Sequence, residues 1–181
     1  MTLDIAQLDM RRAYFGGAPV IFASGLVWFV AGWLHIVQGQ TLAQPVFLSA
    51  MVICHPLGIM VMREFMAIGR HINNNPLPRL TNDANFFLIC GLIVAIIAGR
   101  QDPAMLFEIA LFTLGVRYLI LKTVYGIKAY WVAAAMLIGA ACMSYVMQFS
   151  AGLSAFLGAY IELCVAGWMF WKMNRGASAP Q

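Results

Sequence analysis

The chain has 181 residues, 62% of them hydrophobic and only 10% charged, with a formal net charge of +4. A soluble domain carries about 25% charged residues, so a chain this apolar would expose far too much greasy surface to water, and its solvent must be lipid. Six spans of ~20 residues use roughly two thirds of the length, which leaves no room for a soluble domain and puts any chemistry in the membrane or at its faces.

The sequence opens MTLDIAQLDM, with Asp4 and Asp9 where a signal peptide would have a basic region. Residues 1–17 are therefore expected to remain as a cytoplasmic N-terminal segment. Gly16, Gly17 and Pro19 mark the start of the first span, 18–37. Gly25 and Gly32 share one of its faces, with Ser24 beside the first, and small residues of this kind let another helix approach closely. His35 falls near its far end. An uncharged loop, 38–45, leads to the second span, 47–66, which has His55 and Pro56 at mid-depth and ends in Arg63 and Glu64. The longest polar stretch follows, with Arg70, His71, three consecutive asparagines, Pro76, Pro78 and Arg79, and its turn chemistry makes it a loop.

The third span is 83–99, with Thr81 or Asn82 as its cap. Asp102 caps and Pro103 opens the fourth, 104–121, which carries Glu108 and Arg117. A basic connector, 122–128, is flanked by Tyr118, Tyr125, Tyr130 and Trp131, as in an interfacial aromatic belt. The fifth span, 129–149, is rich in alanine and glycine and is expected to be the central packing helix. The sixth is 154–171, and 172–181 form a cytoplasmic tail. The fold class is thus all-α: a compact bundle of six transmembrane helices. With both termini cytoplasmic, all the basic residues except Arg100 lie on one side, in accord with the positive-inside bias. Pro19 with Gly32 and Pro103 with Gly115 take near-matching positions in spans one and four, too few to establish an inverted repeat.

At ~1.5 Å per residue, His55 and Glu162 both reach mid-membrane. Glu162 shares its helix face with Ala155, Gly158, Ala159 and Ala166, a small-residue stripe that should meet another helix. The two ionisable groups form either a proton-responsive or substrate-binding site, or a hydrogen-bonded pair with a neutral Glu162 that fixes the packing. Glu108 and His35 form a second, shallower pair, or Glu108 simply favours its helix dipole. Arg117 is read as snorkelling to headgroups. With Arg63, Arg70, Arg79 and Lys122 it makes a surface for lipid headgroups or a partner, unless these charges only set topology.

Met51, Cys54, His55 and Met62 are of a type that suits Cu(I), but methionines in apolar helices are packing residues first. Haem needs two histidines at one depth, and no zinc, phosphate-loop or nucleophile motif is present. No metal, cofactor or catalytic set is expected. The four cysteines form no C-x-x-C pair and read as small fillers of helix interfaces. The expected partners are the lipid bilayer, a small solute or proton, and a membrane-protein partner or second copy. The charge distribution along one side points to anionic lipid, not nucleic acid.

The motifs HPLG (55–58), NPLPRL (75–80) and VRYLILKTVYGIKAYW (116–131) resemble an uncharacterised family of small six-helix bacterial inner-membrane proteins. The resemblance implies six helices and a bacterial inner membrane, and no function. A small permease-like or solute-binding protein is the leading expectation. A non-catalytic accessory subunit, docked on a larger complex or on itself, is the alternative, and a lipid-modifying enzyme comes third.

Overall fold

The computed structural model describes residues 1–65, 72 and 74–177; the side chains of His55 and of residues 61–65 and 174–177 lie outside the description. The N-terminal segment is itself a helix, α1 (Leu3–Tyr14). A short 3-10 turn (Phe15–Gly17) breaks it from α2 (Ala18–Gln38), with Gly16 and Gly17 at φ of 61° and 84°, a region that glycine enters without the cost of a Cβ. The remaining helices are α3 (Gln40–Phe65), α4 (Leu77–Gly99), α5 (Pro103–Tyr125), α6 (Ala129–Met147) and α7 (Ala151–Ala177). Six helices are long and apolar enough to cross a membrane. Their outward faces carry large apolar side chains such as Phe86, Ile97, Val146 and Tyr160. A chain built this way is a multi-pass membrane protein.

Two helix starts differ from those read in the sequence, and proline is the reason in both. The second span begins at Gln40, with Pro45 and Pro56 inside it, because only Gly39 interrupts the chain after α2. A helix in lipid tolerates an internal proline when neighbouring groups take up the freed carbonyl. The third begins at Leu77. Asn75 Oδ1 accepts from Leu77 N at 3.0 Å and so does the capping, while Pro78 sits in the first turn, where a missing N–H costs nothing. Thr81 and Asn82 therefore lie inside the helix. Asp102 caps α5 as expected, accepting from Ala104 N at 2.9 Å.

The helices divide into two sets of neighbours. α2 packs between α3 and α7, α5 packs between α4 and α6, and α7 also touches α5 and α6, joining the sets. The centre is α5 and not the alanine-rich α6: 61% of the α5 span is buried, against 39% for α6. Ala133, Ala134, Ala140 and Ala141 let α6 lie close to its neighbours on one side, but its opposite side carries the exposed Trp131, Val132, Met136 and Met143, and a Cβ on Gly139 would touch nothing. Of the cysteines, only Cys54 is buried. Cys90, Cys142 and Cys164 are exposed, and all four are free.

The end of α1 and the last described turns of α7 meet at one end of the bundle, where Gly16 faces Met169 and Met173. There α1 ties the connectors together. Gln7 Nε2 donates to Thr123 O at 2.8 Å, and Arg11 Nε donates to Tyr125 O. Asn75 Nδ2 donates to Asp9 at 2.6 Å and to Ala6 O at 3.0 Å. Along the α2–α7 seam the small-residue faces meet as their spacing requires: Gly25 lies against Leu163 and Glu162, Gly32 against Phe156, and Gly158 against Trp28.

A Cβ on Gly158 would stand 2.7 Å from the Trp28 indole, whereas one on Gly167 would meet nothing within 4 Å. Gly158→Leu should therefore destabilise the bundle by about 1–3 kcal/mol and lower its melting temperature in detergent, while Gly167→Leu leaves it unchanged. Equal melting temperatures for the two variants would refute this packing.

Candidate functional site

Glu162 is fully buried at mid-length of α7. Its Oε1 accepts a hydrogen bond from the hydroxyl of Tyr118 on α5, the helix at the centre of the other set. Its Oε2 has no hydrogen bond of ordinary length among the described residues, but the Ser24 hydroxyl of α2 stands close enough to interact with the carboxyl. A carboxyl group in hydrocarbon requires such donors, since water cannot supply them there. The bond therefore ties α7 to α5 across the junction of the two sets.

Arg117 precedes Tyr118 and is also buried, with 6% of its surface exposed. The snorkelling read from its sequence position is not what the structure shows. Its Nη2 turns inward and donates to Asn85 Oδ1 of α4 at 2.8 Å, and its Nε has no partner among the described residues. Asn85 offers a neutral amide oxygen inside the bundle, so the guanidinium has no need to reach the headgroups.

Further polar groups come from the other helices. Ser24 of α2 is buried beside the same site and donates to Met51 Sδ at 3.6 Å. Tyr130 of α6 is fully buried, lies edge-on to Tyr118 with centroids 5.5 Å apart, and donates from its hydroxyl to Gly16 O at 2.7 Å. Only a residue without a side chain fits at Gly17, where a Cβ would stand 2.5 Å from that hydroxyl. Ser24, Thr81, Arg117, Tyr118 and Tyr130 line a cavity of about 20 Å³, which is room for one water. A second cavity, of about 70 Å³, shares Val20, Thr81 and Tyr125 with the first and continues beneath α1 past Met10 and Tyr14. The two cavities share walls and lie between α1 and Tyr118, with scattered polar groups in a mainly apolar lining.

Towards the other end the core is filled by aromatic side chains. Trp28, Phe47 and Phe107 are fully buried, with centroids 4.5 Å apart for the first pair and 5.1 Å for the second.

The remaining candidates are dispersed. Glu108 is buried on α5, and His35 packs its ring against Gly152 with its Nδ1 lacking a partner among the described residues. No hydrogen bond joins the two, so the shallower pair does not form among the described side chains. His55 belongs to the backbone of α3, but its side chain lies outside the described residues, as do the side chain of Arg63, the whole of Arg70 and Met62 of the Cu(I) reading. Arg79 is exposed in the first turn of α4, and Lys122 is half-buried in the last turn of α5. Among the described residues no three His, Cys, Asp or Glu side chains gather as metal ligands would. Tyr118, Asn85, Ser24 and Tyr130 were not singled out as site residues from the sequence. One signal was available for Asn85: it and Arg117 are equidistant from Gln101 in the α4–α5 turn, so an antiparallel helix pair brings them to one depth.

A model for a family of unknown function (DUF7010) matches residues 3–172, from α1 into α7. The chain belongs to this family. Its membership agrees with the resemblance carried by the HPLG, NPLPRL and 116–131 motifs, and it assigns no role to any residue. No curated protein and no solved structure matches the chain.

A double-mutant cycle tests the central bond. Tyr118→Phe and Glu162→Gln should each lower stability in detergent, and together they should show a coupling of about 1–2 kcal/mol. Additive effects would mean that the two side chains do not interact.

Proposed function

We propose that this DUF7010 protein is a small permease-like membrane protein that handles a proton or a solute of a few atoms at Glu162 and Arg117. The observation that carries this reading is the shared chamber: a buried carboxyl and a buried guanidinium approach it without being hydrogen-bonded to each other. Arg117 lines that chamber with its Nε lacking a hydrogen bond among the described residues, while the Glu162 carboxyl stands behind Tyr118 with the Ser24 hydroxyl next to it. Such a gap is what a transferable proton or small polar molecule requires, and intramembrane ionisable residues mark ion and proton paths. Tyr118, Tyr130 and Arg117 surround Glu162 from α5 and α6, and Ser24 and Cys54 adjoin it from α2 and α3. His55 belongs to the same proposed site, and Glu108 and His35 lie apart from it towards the far end.

The proposed setting is a bacterial inner membrane with both termini cytoplasmic. Arg11, Arg12, Arg79, Lys122, Lys128 and Lys172 at the terminal end, against Arg100 at the other, support that orientation. The chamber then lies towards the cytoplasmic end. The small-residue stripes of α2 and α7 are consumed within the chain, which favours a self-contained bundle, whereas Ala135 and Gly139 of α6 face outward, which favours the subunit reading.

A second reading, a non-catalytic accessory subunit, draws on an apolar groove of about 670 Å³ between α2 and α3, lined by Leu26, Val46, Ala50, Ile53 and Leu57. Affinity purification in mild detergent separates the two. A stoichiometric protein companion favours the subunit, and a protein purified alone favours the permease.

In vesicles enclosing a pH-sensitive dye, the reconstituted protein should admit protons after an external pH jump. Glu162→Gln should return the rate to that of empty vesicles and abolish its dependence on pH. A glutamine variant with unchanged pH dependence removes Glu162 from the mechanism.

A further inference from the structure

Away from the chamber, two adjoining cavities lie where α6 and α7 reach the terminal end. The first, of about 130 Å³, is rimmed by Arg11 of α1, by Lys128 and Lys172, and by Gly126 and Ile127 of the α5–α6 connector. The second, of about 470 Å³, shares Lys128, Trp168 and Lys172 with the first and runs between α6 and α7 over Ala129, Val132, Met136 and Val165. We propose that the two together bind one anionic phospholipid, its phosphate among the three cations and an acyl chain in the slot.

Charge and shape complementarity select this occupant. No carboxylate lines either cavity, so three positive charges converge on the first without an acidic counterpart in its walls. The slot beyond them is lined by apolar side chains for about 10 Å along α6, from Ala129 to Met136 at ~1.5 Å per residue. A free phosphate would satisfy only the first cavity, and a neutral hydrocarbon only the second. A zwitterionic lipid would bring its own ammonium group to a site already rich in cations. Lys172 Nζ lies 4.9 Å from the Trp168 ring centre, an arrangement that holds the ammonium at the level of the headgroups while the indole covers the upper slot. Arg11 reaches this place because its Nε is fixed on Tyr125 O, so α1 becomes part of the headgroup wall. None of these groups belongs to the Glu162 chamber, and the site stands whatever that chamber does.

The test is native mass spectrometry of the full chain, delipidated in an uncharged detergent and titrated with dioleoyl phosphatidylglycerol or dioleoyl phosphatidylcholine. One phosphatidylglycerol should be retained per chain, with a preference of about tenfold or more over phosphatidylcholine, since each cation near an anionic headgroup contributes roughly fivefold. Lys128→Ala with Lys172→Ala should remove the preference. Both lysines are solvent-side groups, and Lys128→Gln with Lys172→Gln repeats the test if the alanine pair expresses poorly. Val132→Trp should fill the slot and weaken phosphatidylglycerol while leaving the lysines in place. Equal retention of the two lipids, an unchanged preference in both lysine pairs, or full binding in Val132→Trp overturns the proposal. So does displacement of phosphatidylglycerol by inorganic phosphate at equal concentration, which would assign the cations to a free anion.

Discussion

The structure depends on a carboxyl group that must find a hydrogen-bond donor in a medium that offers none. Glu162 lies on α7, and the donor that reaches it, Tyr118, lies on α5. These helices belong to different sets, α2–α3–α7 and α4–α5–α6, so satisfying one side chain fixes how the two halves sit against each other. Lipid supplies no hydrophobic drive for that docking, because a helix leaves one apolar environment for another. What remains is close packing and buried polar contact. The seam supplies both: Gly25 and Gly158 let α2 and α7 approach until Trp28 rests on the Gly158 backbone, and that approach encloses Glu162.

The same constraint orders the bundle along its axis. From Glu162 towards the terminal end polar groups are set into the core: Tyr118, Arg117 with its partner Asn85, Thr81 and Tyr130. In the other direction Trp28, Phe47 and Phe107 fill the core with rings. The break at Gly16 and Gly17 belongs to the polar half, because the carbonyl it presents is the acceptor for Tyr130. Tyr125 stacks on Tyr130 at 5.6 Å, and its carbonyl holds Arg11. Local backbone choice, aromatic packing and the position of α1 are therefore parts of one arrangement.

Much of this was legible in the residues because lipid constrains helices so strongly. The six apolar runs, the Asp102–Pro103 helix start and the interior position of Glu162 follow from composition, capping chemistry and a small-residue stripe. Arg117 misled because its span was read alone. A cation two turns from a helix end has headgroups within reach of its side chain, and nothing on that helix offers an acceptor. The acceptor is on α4, and finding it requires the α4–α5 hairpin to be folded about Gln101. Tyr118 stayed hidden for a similar reason, since a tyrosine near a basic connector reads as an interfacial ring. The starts of α3 and α4 were displaced because proline was taken as punctuation, when Asn75 and Gly39 do the punctuating.

The relation of Arg117 to Glu162 bears on the choice between scaffold and site. For stability alone, a buried ion pair closes directly or gives way to apolar residues of the same volume, which are often equal or better. Here neither holds. The guanidinium is turned to a neutral amide, the carboxyl to a phenol, and the guanidinium Nε lacks a hydrogen bond among the described residues beside a chamber of one water's size. On the permease reading proposed above, a donor and an acceptor not bonded to each other would hold a small molecule or proton without locking it in a bridge. On that reading the absence of a direct ion pair belongs to exchange, and on the accessory reading it is a cost to stability that close packing along the α2–α7 seam offsets.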